Sequence, residues 1–289
     1  MVVMDASSGG ARRCLVSVHA HPDDESSKGP ATVARYAAAG VRCVLVCCTG
    51  GEEGDILNPA MDRPDIRENL PAVRREELAK AAAIIGYSEV VWLGYRDSGM
   101  AGSDANDNPA CFARADLADA RGRLVAVLRR ERPQVVITYA DDQEGYPHPD
   151  HLRVHEVTMA AYEASGDPKA YAEAGPAWRP SKLYYSAWSR ARARALHQRF
   201  VDLGEPSPFA DEWLKRPDLD DRVTTRVLVP NGEEVRRQAL LAHATQIDPE
   251  SPYWFGAPPE LFVDLTEDFI LAHSDVATDL PEEDLFSGL

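Results

Sequence analysis

Two short segments carry residue types that hold a metal and move protons: His21-Pro22-Asp23-Asp24 and His148-Pro149-Asp150-His151. Both contain the tripeptide His-Pro-Asp and place a further metal-ligand residue one step later. Proline suits the first turn of a helix, where its missing N–H costs nothing, so each segment reads as a helix entry. His21 with Asp24, and His148 with His151, are then i, i+3 pairs whose members can face the same way. A catalytic divalent metal typically takes three protein ligands and keeps a further position for water. His21, Asp24 and His151 supply two imidazoles and a carboxylate, a set that suits zinc (Zn2+) and also Fe2+. Asp23 and His148 remain, and a carboxylate and an imidazole are the groups that do proton work beside a metal-activated water. The chemistry indicated is metal-assisted hydrolysis. The plainer reading, in which Asp23 or Asp24 only caps a helix, is compatible with it. A metal- or sugar-binding protein of the same fold is the non-enzymic alternative, and Asp23 speaks against it, because binding alone needs no base there.

The elements that must position these segments are visible in the apolar pattern. Each segment follows a β-branched apolar run, at 15–18 and at 135–139. In an open α/β sheet the ligand crevice lies outside the carboxyl ends of the strands, so turns far apart in sequence can converge there. Strands are expected at 14–19, 41–48, 89–93 and 134–139, and helices at 27–40, 70–85, 117–130 and from His151 to about Ser165. This alternation predicts an α/β fold with a mostly parallel sheet and helices on both faces. Gly166-Asp167-Pro168 breaks the pattern. Beyond it, strands are expected at 182–187 and 222–229, helices at 190–203 and 233–246, and a Pro-rich surface connection at 205–217. Residues 1–180 then form the core that carries the metal site. Residues 181–289 form a smaller α+β part that completes the fold and rims the site.

Composition narrows the function. The net charge of −16 over 289 residues argues against nucleic acid and anionic membrane surfaces as partners, since both call for basic patches. No stretch approaches the roughly 18 to 20 apolar residues of a bilayer span, and 1–13 has no apolar run of signal-peptide type, so a cytoplasmic protein is expected. Cys14, Cys43, Cys47, Cys48 and Cys111 are odd in number and form no C-x-x-C pair, which makes them core thiols. The stretch 275–289 contains five acidic residues and no Lys or Arg, the pattern of a solvated tail. Arg190, Arg192 and Arg194 read as an exposed helix start. The loop Thr49-Gly50-Gly51-Glu52-Glu53-Gly54 lacks phosphate-cradle spacings and better suits the lining of a sugar site. Tyr253, Trp254 and Phe255 fit an aromatic platform or core equally well.

Ala20-His21-Pro22-Asp23-Asp24-Glu25 with His148-Pro149-Asp150-His151 resembles the signature of the LmbE-like (PIG-L-type) metal-dependent N-deacetylases, which act on amides of amino sugars. The similarity continues through Ser26-Ser27-Lys28-Gly29, the 49–54 loop, Ile56 to Asp62, Asp97-Ser98-Gly99, 181–185, 223–227 and Ala242 to Pro249. These later blocks are similar to the branch that cleaves the amide of mycothiol S-conjugates. The resemblance implies a Rossmann-like sheet and a small-molecule substrate, a thiol conjugate or another amino-sugar amide. It implies His21, Asp24 and His151 as metal ligands, and Asp23 as general base. His148 would protonate or stabilise the tetrahedral intermediate, with Asp150 as its orienting partner, and Tyr146 would polarise the amide carbonyl. Arg74 and Asp97 would hold sugar and inositol hydroxyls, and Lys28 would favour substrates with an S-substituent. Two departures bear on the substrate. The loop from Tyr139 to Tyr146 is one residue longer than is common and keeps only Gly145, and Glu53 stands where the branch often carries arginine. A secondary-metabolite substrate is therefore open beside thiol detoxification.

Overall fold

The computed structural model describes residues 12–141, 146–204, 206, 207, 209, 218–255 and 266–289, with the side chains of Pro252 and Tyr253 excepted. The inserted loop around Gly145, most of the Pro-rich connection at 205–217, and Tyr253 of the aromatic triplet therefore lie outside the described residues. The first half of the chain alternates: β1 (Cys14–His19), the single turn α1 (Asp24–Ser27), α2 (Pro30–Ala38), β2 (Arg42–Thr49), α3 (Pro64–Glu68), α4 (Leu70–Ile85), β3 (Glu89–Tyr95), α5 (Leu117–Glu131), β4 (Val135–Tyr139) and α6 (Pro149–Ser165). The second half adds β5 (Lys182–Ala187), α7 (Arg190–Leu203), β6 (Thr225–Leu228), α8 (Gly232–Ala242), α9 (Pro252–Phe255) and β7 (Thr266–Ser274).

The strands form one sheet in the order β3-β2-β1-β4-β5-β7-β6. β1 to β5 run parallel, and β7 pairs antiparallel with both β5 and β6. Chain order reverses between β1 and β4, so the crevice of a doubly wound sheet falls at their carboxyl ends. β1 is buried along its whole length because helices cover both faces. Val16 and Val18 pack with Leu124, Leu128, Val154 and Val157 of α5 and α6. Leu15 packs with Val33, Tyr36, Ile85 and Ala239 of α2, α4 and α8. All five cysteines are buried thiols. Among the described residues no helix is long and apolar enough to cross a membrane.

The architecture departs from the sequence expectations in three places. The helix expected at 27–40 is split at Lys28-Gly29, where Gly29 takes a φ of 86°. The left-handed turn that glycine permits separates α1 from α2. β7 was not foreseen, because its sequence mixes acidic and apolar residues without clean alternation.

The stretch at 275–289 is not a solvated tail. Leu285 and Phe286 are buried beside Tyr36, whose hydroxyl donates to Asp284 Oδ1 and accepts from Leu285 N, both at 2.7 Å. Glu282 is buried and paired with the buried Lys182, which also donates to Ser287 O at 2.9 Å. Burying two large apolar side chains stabilises by about 1.5–3 kcal/mol each. An acidic run can therefore be drawn in when its carboxylates find donors.

Candidate active site

His21, Pro22, Asp23 and Asp24 leave the end of β1 in a sharp turn. Pro22 is not the first helical residue, as its sequence suggested. It precedes the N-cap Asp23, whose φ of 122° lies in the left-handed region. A non-glycine residue held there carries strain of about 1–3 kcal/mol, which persists only where the surroundings over-determine it. They do so here. Arg74 of α4, itself buried, donates to Pro22 O at 2.5 Å, to Asp23 Oδ2 at 2.9 Å and to Gly51 O at 2.6 Å. Asp23 N donates to Glu25 Oε2 at 3.0 Å. Gly51 has a φ of 69°, and a Cβ there would lie 2.3 Å from the Arg74 guanidinium, so only glycine lets the β2 loop close over that arginine.

The second segment follows β4. Pro149 is the first residue of α6, as expected. His148 caps the helix: its Nδ1 accepts the Asp150 N–H at 3.1 Å. That hydrogen bond leaves the proton of a neutral His148 on Nε2. Asp150 meets both histidines: its backbone N–H holds His148, and its carboxylate Oδ2 lies 3.1 Å from His21 Nε2. Ser98 fixes it there, donating from its backbone N–H at 2.9 Å and from its hydroxyl.

Three carboxylates thus converge on one imidazole. His21 Nδ1 is 3.3 Å from Asp24 Oδ2, and His21 Nε2 is 3.6 Å from Asp97 Oδ1 besides its contact with Asp150. Burial alone would lower the His21 pKa, but Asp150, Asp24 and Asp97 outweigh it and hold it well above the ordinary value. Burial pushes the neighbouring His151 down to about 4. His148 is also lowered, by burial and then by the charge of His21. Asp23 is raised: its burial outweighs the pull of Arg74.

His21, Asp24 and His151 bring one ligand atom each within 4.8 Å of one another. His151 Nε2 is 3.4 Å from Asp24 Oδ1, too poorly aligned for a hydrogen bond, and is a buried nitrogen with no partner. An orphaned, neutral imidazole nitrogen beside a carboxylate is the chemistry of a metal ligand. The far nitrogen of His21 is already held by Asp150, the carboxylate–histidine support that metal sites use. The residues therefore fit a divalent cation. A second grouping, His21 with Asp97, His148 and Asp150, is also close enough, but there His21 would have to give up its hydrogen bond to Asp150.

The remaining expected residues lie around this cluster. Lys28 lines the cavity, and its ammonium sits 2.5 Å from Asp24 Oδ1. Asp97 is buried, held by Glu52 through its backbone N–H at 2.9 Å. Glu53 pairs with Arg96 and lines the cavity. Tyr146 is half-exposed, with its ring 6.1 Å from that of His148.

Several residues were not singled out from sequence. His243 is buried and pairs with Glu25 at 2.7 Å, directly behind Asp23. Ser98 and Glu52 fix Asp150 and Asp97. His243 and Ser98 lie in blocks that carried the family resemblance, and that was the signal available. The three alternating arginines do open α7, but they are not uniformly exposed. Successive even positions on a helix point in different directions, and Arg192 turns into the cavity while Arg194 faces out. That cavity measures ≈ 660 Å³ and runs from the Glu53 side past the cluster to Trp188 and Trp254.

A family profile described as "PIG-L: GlcNAc-PI de-N-acetylase" matches residues 16–162. The mycothiol S-conjugate amidase of Streptomyces coelicolor is 46% identical over 95% of this chain and 97% of its own length. A 1D-myo-inositol 2-acetamido-2-deoxy-alpha-D-glucopyranoside deacetylase of Geodermatophilus obscurus is 40% identical over 96% of this chain and 98% of its own. Among solved structures, the N,N'-diacetylchitobiose deacetylase of Pyrococcus horikoshii superposes with a TM-score of 0.63 at 18% identity, covering 90% of this chain and 83% of that one. A 4-carboxy-2-hydroxymuconate hydratase of Pseudomonas shares the fold equally well, with a TM-score of 0.61 at 18% identity over 93% of this chain and 99% of that one. At such identity the likeness speaks for the fold alone.

Proposed function

Since the chain belongs to the PIG-L family of de-N-acetylases and amidases, we propose that it hydrolyses the amide of mycothiol S-conjugates, releasing glucosaminyl-inositol and an S-substituted N-acetylcysteine. The observation that carries this reading is the convergence of His21, Asp24 and the unpartnered His151 beside a buried, strained Asp23. Lys28 beside them, and identity to an S-conjugate amidase over nearly the whole chain, favour the conjugate over the unconjugated sugar.

In this reading His21, Asp24 and His151 would hold zinc or Fe2+, which would supply a nucleophilic water at neutral pH and polarise the amide carbonyl. Asp23 Oδ accepts the proton of the attacking water. Burial keeps its pKa raised, so it can pass that proton on to the leaving sugar amine. Arg74 prevents its carboxylate from swinging away. His148, neutral and protonated on Nε2, donates to the developing oxyanion, and Tyr146, which lines the same cavity, adds a second donor. Asp97, Arg74 and Glu53 line the polar side of the cavity, where a polyhydroxylated amine can bind.

The alternative is deacetylation of N-acetylglucosaminyl-inositol, the activity named for relatives at about 40% identity. Amine release from a mycothiol conjugate, from mycothiol and from the unconjugated N-acetylated sugar separates the two. The conjugate should be fastest, and Lys28→Ser, which also removes a contact to Asp24, should lower kcat/KM for the conjugate by roughly 1–3 kcal/mol more than for the plain sugar. Faster turnover of the plain sugar, or equal losses on both substrates, would replace the amidase reading with the deacetylase one.

A further inference from the structure

The cavity has two unlike arms on either side of the His21-Asp24-His151 cluster. On the β2–β3 side its wall is polar, with Glu53, Asp55, Arg74, Asp97 and Gln246. On the β5–β7 side it is lined by Trp188, Arg192, Phe209, Arg236, Trp254 and Phe269. Strand order sets these walls on opposite sides of β1 and β4. The two halves of an amide leave its carbonyl in opposite directions, so one arm takes the amine and the other the acyl group. A polyhydroxylated amine suits the polar arm, which leaves the aromatic arm to the acyl side.

The charges in the aromatic arm can be accounted for one by one. Glu267 accepts from the backbone N–H groups of Ala31 and Thr32 at 3.3 and 2.7 Å. Asp268 accepts from the hydroxyls of Ser189 and Thr266. Glu233 is paired with Arg236 at 3.1 Å. Arg192 is the exception. Its guanidinium lies over the Trp188 ring, 4.1 Å from the centroid, its Nε is buried without a partner, and it forms no ion pair among the described residues. Its backbone is fixed, since its N–H donates to Ser189 Oγ at 3.1 Å. With one face of the guanidinium covered by indole, the N–H donors remain open around its edge, and a buried donor left unpaired is costly.

An anion would satisfy those donors, but Glu267, Asp268 and Glu233 all lie within electrostatic reach of Arg192 and would repel it. A neutral acceptor meets no such opposition. We infer that the β5–β7 arm is a binding site for an acyl group larger than acetyl, in which Arg192 donates to an uncharged carbonyl oxygen beside an apolar or aromatic substituent enclosed by Trp188 and Trp254. This assignment rests on the amide-hydrolase reading for its orientation, and it names the residue that reads the acyl side.

The test uses four amides of one amino sugar. Their acyl groups are acetyl, an arylalkyl chain, the same chain interrupted by an amide, and the same chain ending in a carboxylate. Binding is measured by calorimetry on the Asp23→Ala background, so that no ligand is consumed, and amine release on the otherwise unchanged protein. The amide-containing chain should bind most tightly. Arg192→Met should reduce its advantage over the plain chain on the order of tenfold. Arg192→Lys keeps the charge but not the planar fork; it should show the same reduction and serves if the Met variant does not fold. An unchanged advantage in the variants, tighter binding of the carboxylate than of the amide, or acetyl binding as tightly as the longer chains would overturn the inference. The expected binding order without any amine release would support the arm and sink the hydrolytic reading.

Discussion

The catalytic cluster and the aromatic arm of the cavity are built by opposite means. The cluster at the ends of β1 and β4 comes from two four-residue segments held by backbone: Asp24 Oδ2 accepts the His21 N–H at 2.9 Å, and His148 accepts from Asp150 N. The aromatic wall draws Trp188 and Arg192 from the stretch that runs from β5 into α7, Arg236 from α8 and Trp254 from α9. Chemistry is thus encoded locally and selectivity globally. Changes in the first region should destroy turnover, whereas changes in the second should redistribute it among substrates.

The largest effect should come from the ligand trio. His21→Ala, Asp24→Ala and His151→Ala should each lose bound metal, measured by elemental analysis, and more turnover than the roughly 10²–10⁴-fold expected of a proton-transfer group. Asp23→Ala should fall within that range while keeping its metal, because Asp23 is paired with Arg74 and belongs to neither possible ligand group. Full metal occupancy in all three ligand variants would remove the distinction.

The comparison extends to the carboxyl-terminal stretch, which supports the distal wall from behind. Glu282→Ala would leave Lys182 buried and unpaired and should cost about 3–5 kcal/mol in urea denaturation. Activity per folded molecule should change little, since neither residue lines the cavity. A loss of activity without a loss of stability would mean that this pair belongs to the site.

A smaller effect sharpens the boundary of the cluster itself. Asp150→Asn removes the carboxylate that orients His21 and should weaken metal affinity by roughly 10–100-fold without abolishing binding. Titration with a competing chelator measures this. A loss as complete as that of His21→Ala would make Asp150 a ligand and favour the second grouping around His21.

The sequence by itself determined the local features: which residue types stand at the two strand ends, that Pro149 opens a helix, that four apolar runs alternate with helices, and that five cysteines lie in the core. Each is specified within about ten residues by side-chain period and turn chemistry. Only the tertiary structure decided that the Asp150 carboxylate reaches His21, that His243 pairs with Glu25, and that Glu282, Leu285 and Phe286 of the acidic stretch are buried near Tyr36 and Lys182. These contacts join residues at least 100 positions apart. Such pairings are set by which strand ends the sheet order brings together and by which buried groups must find a partner there, and neither is written into any short stretch of sequence.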